Sequence, residues 1–463
     1  MQNSFVELTK QLSNLAWGYP LLILLIGGGL YFLISTKFAP FRYLGHAIQI
    51  VRGKYDNEKE DGQLKHYQAL STAIAGTVGM GNIAGVAVAI TVGGPGAIFW
   101  MWVSAIVGVA TKFFTCTLAV MYRGRDSSGE IQGGPMYWMV EGLGKKWKPA
   151  AIFFSVAAMV GVLPLFQANQ LTQVVYDIYL GPVGFASETV TKLIIGIVIA
   201  VIVGLVIIGG IKRIGEVTGK IVPIMVVIYV IAVLYIIFSN AHEIIPSFKL
   251  IFHDAFTGDN YNGEPVFGGV LGALIITGIR RAAFSNEAGM GSAPMAHGAA
   301  KTDEPVREGL VAMLGPIIDT LIVCTMTALA LIITGVWKSS DAEGVSLTAQ
   351  AFGQSIPFGK HILMICVLFF SMSTLFAFPY YGSKCTNFLF GAHRAHYYNY
   401  IVLVLTVVGS VAAMGTIVNI IDTAYALMAF PTMISALLLS KKVRVAAKDY
   451  FRRYNAGEFK LNK

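Results

Sequence analysis

The sequence predicts an all-α polytopic membrane protein with eleven transmembrane helices. We expect one N-terminal helix followed by two five-helix repeats of opposite orientation, each containing one broken helix. Three observations predict this fold. Its 463 residues are 55% hydrophobic and only 13% charged, whereas soluble proteins average about 25% charged residues. Apolar runs fill nearly the whole chain. A Gly-Met-Gly motif interrupts two of these runs, at residues 79–81 and 289–291.

Each apolar run is long enough to cross a bilayer, which takes about 20 residues. Mean hydropathy is +0.66, so a set of soluble domains is excluded. The basic residues behind the net charge of +9 lie in short loops between the runs, which argues against a nucleic-acid partner. The predicted spans are 18–36, 66–91, 96–121, 150–179, 189–211, 220–238, 265–300, 308–336, 360–380, 397–414 and 421–440.

The basic residues predict the orientation of the spans. Most of the 34 Lys and Arg residues fall in alternate loops if residues 1–17 are outside, and cytoplasmic loops carry the excess of basic residues. We therefore expect a multi-pass protein of the cell membrane, with its N-terminus outside, its C-terminus cytoplasmic and no cleaved signal peptide. The four cysteines lack metal-site spacing and read as small core residues.

The repeated glycine motif predicts the internal symmetry. The second span carries the first motif and the seventh span carries the second, so an odd number of helices separates matching points. The two halves must then have opposite orientation, and broken helices of such repeats meet near the bilayer midplane. The predicted regions are 1–65 (extra helix and connection), 66–240 and 241–440 (the repeats) and 441–463 (a basic tail).

The first motif suggests what the break binds. Gly76, Gly79, Gly81 and Gly85 weaken a helix that also contains Asn82. Amide groups at the start of a half-helix attract a carboxylate, and carbonyls at the end of the other half suit an ammonium group or Na⁺. A small amino acid satisfies both ends. The alternative is that these glycines only allow close helix packing.

Other polar residues are predicted near the same level. Gln167, Asn169 and Gln170 lie in the fourth span, either lining a cavity or joining helices. Next to a broken helix, the hydroxyls of Ser373 and Thr374 would form an oxygen cage for a small cation, although such hydroxyls often bond to their own helix.

The sequence leaves the roles of the charged residues inside the spans undecided. Asp319 either contributes to function or pairs with a basic residue. Lys112 is expected to reach the interface by snorkelling. Arg280 and Arg281 are candidates for an outer gate or for attracting carboxylates. Glu287 is expected to pair with a basic residue.

Long motifs resemble the alanine/glycine:cation symporter family, also called sodium:alanine symporters. They are residues 76–86, 93–108, 133–137, 284–292, 319–320 and 380–382, and the likeness covers essentially the whole chain. The resemblance implies a leucine-transporter-type fold with one added N-terminal helix, and Na⁺-coupled uptake of alanine or glycine.

The resemblance also implies the binding residues. Phe378 stands where the family usually has tryptophan, and Thr115 where an acidic residue is common. For the amino acid the implied set is Ile74, Gly76, Thr77, Gly79, Met80, Gly81, Gln167, Phe284, Ser285, Asn286, Thr374 and Phe378. For Na⁺ it is Ala75, Val78, Ser373 and Thr374, with Asn82 at another site.

The sequence therefore predicts a secondary active symporter that works as a monomer in the lipid bilayer, with Na⁺ as the co-transported ion. H⁺ coupling in the same fold is the nearest alternative, and an ion channel is a more distant one. An enzyme or ATP-driven pump is disfavoured, because the chain has no phosphate-binding Gly-x4-Gly-Lys-Ser/Thr motif and no His-Glu-x-x-His motif.

Overall fold

The computed structural model describes residues 2–57, 59–263 and 268–459, and this part of the chain is almost entirely helical. Residues 1–65 contain helices Gln2–Ala16, Tyr19–Leu22, Ile23–Gly27, Gly28–Ser35, Ala39–Arg42 and Leu44–Val51. The predicted first repeat contains His66–Thr77, Gly81–Gly85, Val86–Gly93, Gly96–Met121, Pro135–Leu143, Lys145–Trp147, Lys148–Gly161, Leu165–Val175, Tyr176–Leu180, Gly181–Val183, Glu188–Ile207 and Gly210–Ser239. The remainder contains Ala241–Glu243, Ile244–Thr257, Gly269–Asn286, Ala293–His297, Pro305–Ala312, Leu314–Pro316, Ile317–Cys324, Thr325–Thr334, Val336–Ser339, Gly344–Ser355, Gly359–Phe390, Ala392–Arg394, Tyr397–Val411 and Met414–Asn455.

By length and composition, seven helices of the described chain could cross a membrane, or nine if each of two bent pairs is one span. The predicted spans 265–300 and 397–414 do not reach this criterion, so the count of eleven stays a prediction. Helix Gly269–Asn286 has two arginines within its 18 residues, and Tyr397–Val411 has only 15 residues. Residues 265–267 of the first of these spans, and 460–463 of the predicted tail, lie outside the described residues.

The burial of the spans separates central helices from peripheral ones. Helix Gly96–Met121 lies at the centre, with 89% of its most apolar window buried, and packs on Gly269–Asn286 and Pro305–Ala312. Glu188–Ile207 has only 33% of its window buried, so its apolar side chains face outward, as expected beside lipid. The four cysteines are buried and unpaired, as the sequence predicts.

A helix at Gln2–Ala16 was not predicted. It packs against helix Met414–Asn455 and meets the following segment at a 45° bend. Trp17, at this bend, is 1% exposed, and its indole N–H donates to the carbonyl of Asp422 at 2.9 Å. The N-terminal residues are therefore attached to the last span.

A short β-hairpin marks one end of the molecule, called here the hairpin end. Strand Gly124–Arg125 pairs antiparallel with Ile131–Gln132. Burial would raise the pKa of the Asp126 carboxyl, but hydrogen bonds from Ser128, Asn387 and Gln132 outweigh it and lower the pKa to about 2. The carboxylate accepts from the Asn387 side chain at 2.8 Å, which attaches the hairpin to helix Gly359–Phe390 throughout the physiological pH range.

Gly382 is predicted to tolerate no side chain. A Cβ there would lie 1.9 Å from the ring of Tyr398, which is held by a 2.6 Å hydrogen bond from its hydroxyl to the carbonyl of Met159. Overpacking costs about 1–3 kcal/mol, so Gly382→Ala should lower the thermal unfolding temperature of the purified protein. Gly415→Ala is the control, because nothing lies within 4 Å of that position. Equal unfolding temperatures for the two variants would contradict this packing.

Candidate functional site

The first broken helix is interrupted at Val78 and Gly79. Its two halves, His66–Thr77 and Gly81–Gly93, meet at 50°, as the sequence predicts. The Gly79 N–H donates to the side-chain oxygen of Asn82 at 2.9 Å. A Cβ at Gly79 would lie 2.4 Å from the Thr374 hydroxyl, so glycine is required here by close approach.

The second broken helix is interrupted after Asn286 and resumes at Ala293–His297. Glu287 has φ +54°, and Gly289 and Gly291 have φ +89° and +93°. These values lie in the left-handed region that favours glycine. The Gly-Met-Gly motif is therefore used for close approach in the first copy, whereas the second copy meets both requirements, since a Cβ at Gly289 or Gly291 would also lie 2.7 Å from a neighbouring side chain.

Side chains in the second break satisfy the freed peptide groups. The Asn286 amide oxygen accepts from the Ala288 N–H at 2.9 Å, and its NH₂ donates to Thr320 at 3.0 Å. Glu287 accepts hydrogen bonds from the hydroxyls of Ser292 and Tyr425. Its hydrogen-bond partners are thus hydroxyls, and the basic residue Lys112 interacts with it electrostatically.

The two breaks meet at one carboxylate. Asp319 accepts from the Asn82 amide at 2.7 Å and from the Ser285 hydroxyl at 2.7 Å. A Cβ at Gly81 would lie 3.4 Å from both the Phe284 ring and the Ser285 Cα, so the helices touch at this level. Asp319 is fully buried and, within the described chain, has no ion pair. Lys112 is a basic residue that interacts with this carboxylate electrostatically.

The two hydroxyls that the sequence predicts as cation ligands lie beside the first broken helix. The Thr374 and Ser373 hydroxyls lie 2.8 and 3.5 Å from the carbonyl oxygen of Ala75, and both also bond to the carbonyl of Phe370. Val78 directly follows this half-helix. Among the described residues no group of three or more His, Cys, Asp or Glu could hold a metal ion, so a cation here would depend on carbonyl and hydroxyl oxygens.

The three amides of the fourth span have different roles. Asn169 donates to the carbonyls of Gly409 and Ala412 at 3.1 and 2.8 Å. Gln170 donates to Asn169 and accepts from the Val345 N–H at 3.2 Å. These two join helices. The Gln167 side-chain oxygen is buried and has no hydrogen-bond partner within the described chain.

The wall around the first break is aromatic. A Cβ at Gly76 would lie 3.3 Å from the Phe378 ring and from the Tyr381 hydroxyl. That hydroxyl is buried and has no hydrogen-bond partner among the residues that the structure describes. The Phe284 ring packs edge-on to Phe166, the residue before Gln167, at 5.2 Å between centroids. Ile74, Met80 and Phe378 are buried. The Thr77 hydroxyl bonds back to the carbonyl of Ala73 at 3.1 Å, so this side chain is already engaged.

A family model described as the sodium:alanine symporter family matches residues 2–463. The chain belongs to this family. The resemblance seen in the motifs is confirmed, and the protein is a transporter and not an enzyme.

Related proteins extend over nearly the whole chain. It is 41% identical over 454 residues to the sodium/alanine symporter AgcS of Methanococcus maripaludis, covering 96% of this chain and 97% of that one. It is 33% identical to the probable sodium/glutamine symporter GlnT of Bacillus subtilis, covering 99% and 93%. The structure of MhsT in complex with L-phenylalanine aligns with a TM-score of 0.54 at 14% identity, covering 84% of this chain and 99% of that one. This likeness shows a leucine-transporter-type fold.

The end of the symporter opposite the hairpin is held by an ion-pair cluster. Asp422 accepts from the Arg280 Nε at 2.6 Å and from Arg281. Arg280 also donates to the Ser13 hydroxyl, which brings the N-terminal helix into the cluster. Both arginines are thus already paired with a carboxylate of the protein. At this end, a cavity of about 780 Å³ is lined by residues that include Asn169 and Gln170, one helical turn from Gln167.

Lys112 does not snorkel. Its side chain is 2% exposed, its Nζ would lie 3.6 Å from a Cβ at Gly315, and it interacts electrostatically with Glu287 and Asp319. The predicted route to the interface fails because other helices surround Gly96–Met121 on all sides at this level.

At the hairpin end of the symporter, one carboxylate bridges both broken helices. Glu308 contacts Nδ1 of His66, where the first broken helix begins, and Nδ1 of His297, where the second one ends. All three side chains are buried. Sequence reasoning missed this cluster, although a histidine at one end of each broken helix was a usable signal.

The chain segments beside this cluster are joined through their backbones. The Leu64 N–H donates to Ala299 at 3.0 Å, and the Lys301 N–H donates to Leu64 at 2.6 Å. The Arg123 guanidinium donates to the carbonyls of Gly298 and Thr302, both at 2.9 Å.

Substitutions at two amides of the fourth span are expected to affect stability differently. Asn169→Leu should lower stability by about 1–3 kcal/mol, because two buried carbonyls lose their donor. Gln167→Met, which keeps the volume and removes an unpaired oxygen, should leave stability unchanged or raise it. Thermal unfolding of the two purified variants measures the difference. A Gln167→Met variant less stable than Asn169→Leu would show that Gln167 has a structural partner.

Proposed function

We propose that this protein imports small neutral amino acids, alanine or glycine, together with Na⁺, by alternating access. The observation that supports this best is the contact between the two broken helices at Gly81 and Ser285. This contact lies beside the Asp319 carboxylate, which bonds to Asn82 and Ser285, and secondary transporters bind substrate and ion where two broken helices meet.

The amino acid would lie between the two breaks. Its ammonium group would donate to the unpaired oxygen of Gln167 and to carbonyls of the first half-helix, and its carboxylate would accept from the amides that begin the next half. Gly76, Phe378 and Tyr381 would leave room for a small side chain only. The proposed contacts are Ile74, Gly76, Thr77, Gly79, Met80, Gly81, Gln167, Phe284, Ser285, Asn286, Thr374 and Phe378.

The co-transported Na⁺ would bind beside the substrate. The carbonyls of Ala75 and Val78 and the hydroxyls of Ser373 and Thr374 are oxygen donors suited to a hard cation, and freed carbonyls coordinate Na⁺ in such transporters. Asn82, which donates to Asp319 while Asp319 also accepts from Ser285, is the candidate for a second cation site.

The finer architecture belongs to the same proposal. We place eleven spans in the membrane, with an extra N-terminal helix before inverted repeats at 66–240 and 241–440. The hairpin end and the tail 441–463 would face the cytoplasm, the Arg280–Asp422 cluster would face outside, and the carrier would work as a monomer in the cell membrane. Inward movement of one Na⁺ then supplies about 2.3 kcal/mol per 100 mV for uptake.

H⁺ coupling is the alternative with an observation in its favour, since Asp319 and Glu287 are buried carboxyl groups at the junction. Alanine-driven uptake of ²²Na⁺ into proteoliposomes at fixed pH is expected if Na⁺ is coupled. No ²²Na⁺ uptake, with alanine accumulation persisting under a proton gradient, would establish H⁺ coupling.

Competition by glycine, serine and glutamine against labelled alanine defines the substrate range. Flux that never saturates with substrate would favour a channel.

Gln167 provides the test of the substrate position. Gln167→Met should weaken alanine binding at saturating Na⁺ at least tenfold, because a hydrogen bond to a charged group contributes about 1.5–3 kcal/mol. Isothermal titration calorimetry measures the affinity. Gln173→Met is the control, since that residue lies two turns along and binds Asp177 at 2.8 Å. If the Gln167→Met variant binds alanine with wild-type affinity, the substrate does not bind at Gln167.

A further inference from the structure

Lys384 is a buried lysine with no ion pair in the described part of the chain. The sequence places it in a loop after a span ending at residue 380, but helix Gly359–Phe390 continues past it. The residue is 4% exposed, and its Nζ has no hydrogen-bond partner in the described chain. Burying an unpaired charge is costly, and ionisable residues inside membrane spans commonly mark substrate or ion pathways.

The surroundings of Lys384 can receive an anion. Its Nζ lies 5.1 Å from the centroid of the Tyr380 ring, and a cation–π contact only partly replaces lost hydration. The hydroxyls of Tyr380 and Tyr381 are also buried and unpaired. The nearby charges are Arg123, which is repulsive, and Asp126, which is attractive. Asp126 is already occupied by hydrogen bonds from its hairpin and from helix Gly359–Phe390.

The position of Lys384 connects the junction with the hairpin end. One turn before it, Tyr381 contacts the position of Gly76 in the first broken helix. The next residue, Cys385, has its Sγ 3.8 Å from the Met295 sulfur in the second broken helix. One turn after it, Asn387 binds the hairpin. Lys384 thus lies on the surface that this helix presents to the hairpin-side halves of both broken helices.

The same surface reaches the proposed ion site. Thr374, which bonds to Ala75, and Asn387 are separated along one continuous helix by roughly 20 Å at about 1.5 Å per residue. An amino acid that leaves the junction when the half-helices move away from this surface would pass Lys384 before reaching solvent.

We propose that Lys384 is a carboxylate-binding site on the release route, where its ammonium group receives the carboxylate of the departing amino acid. The ligand class is a zwitterionic or anionic carboxylate. This inference rests on the proposed function, and it adds a second binding site for the amino acid between the junction and the hairpin end.

Variants at Lys384 separate release from binding. Lys384→Met should bind alanine within twofold of wild type in titration calorimetry, while its alanine counterflow in proteoliposomes falls at least tenfold. Lys384→Arg, which keeps the charge, should retain at least a third of the wild-type rate. Lys146→Met is the matched control, because Lys146 is exposed near the same end. Wild-type counterflow by Lys384→Met, or equal loss in Lys384→Arg, would overturn the proposal.

A second measurement avoids substitutions altogether. Methyl acetimidate should modify Lys384 of the wild-type carrier only during turnover with alanine and Na⁺, whereas Lys146 should react in all conditions, as read by peptide mass spectrometry. Lys384 unmodified during turnover would show that the route lies elsewhere. Absence of alanine binding to the wild-type protein would instead overturn the proposed function itself.

Discussion

The structure depends on how peptide groups freed at two breaks are satisfied inside hydrocarbon, where no water is at hand. Asn82 accepts from Gly79 in the first break, and Asn286 accepts from Ala288 in the second. Asp319 then bonds to side chains of both broken helices. The residues that stabilise the breaks also fix their relative position, so the junction is organised before any ligand arrives.

Much of this junction could be predicted from the sequence. Glycines repeated in two long apolar runs located both breaks, and Ser373 and Thr374 were expected near the first. The role of Asp319 could not be predicted, because its partners come from two distant segments. The amides show the same limit. Composition alone could not separate Gln167 from Asn169, since the difference depends on which carbonyls a third helix presents.

Errors in the sequence prediction concern single charges and span ends. Lys112 was assigned to the interface from its place along a span, but helix packing surrounds it. Lys384 was assigned to a loop because hydropathy falls at residue 380, although the helix continues to Phe390. Local hydropathy reports the preference of a segment for lipid. It does not report which protein surfaces cover that segment, and those surfaces decide whether a charge is buried.

The two Gly-Met-Gly copies show that the same sequence motif can meet different structural requirements. In both copies close neighbours exclude a side chain, and only in the second does the backbone also adopt a left-handed conformation. Internal symmetry of sequence therefore does not imply equal tolerance to change at matching positions.

The contact of Ser13 and Trp17 with the Arg280–Asp422 cluster has a consequence for movement. If this cluster separates when that end of the carrier opens, the N-terminal helix must either move with the last span or lose its hydrogen bond to Arg280. In that case the N-terminal helix would restrain the opening of this end, and a change in the lipid around the helix would alter the restraint.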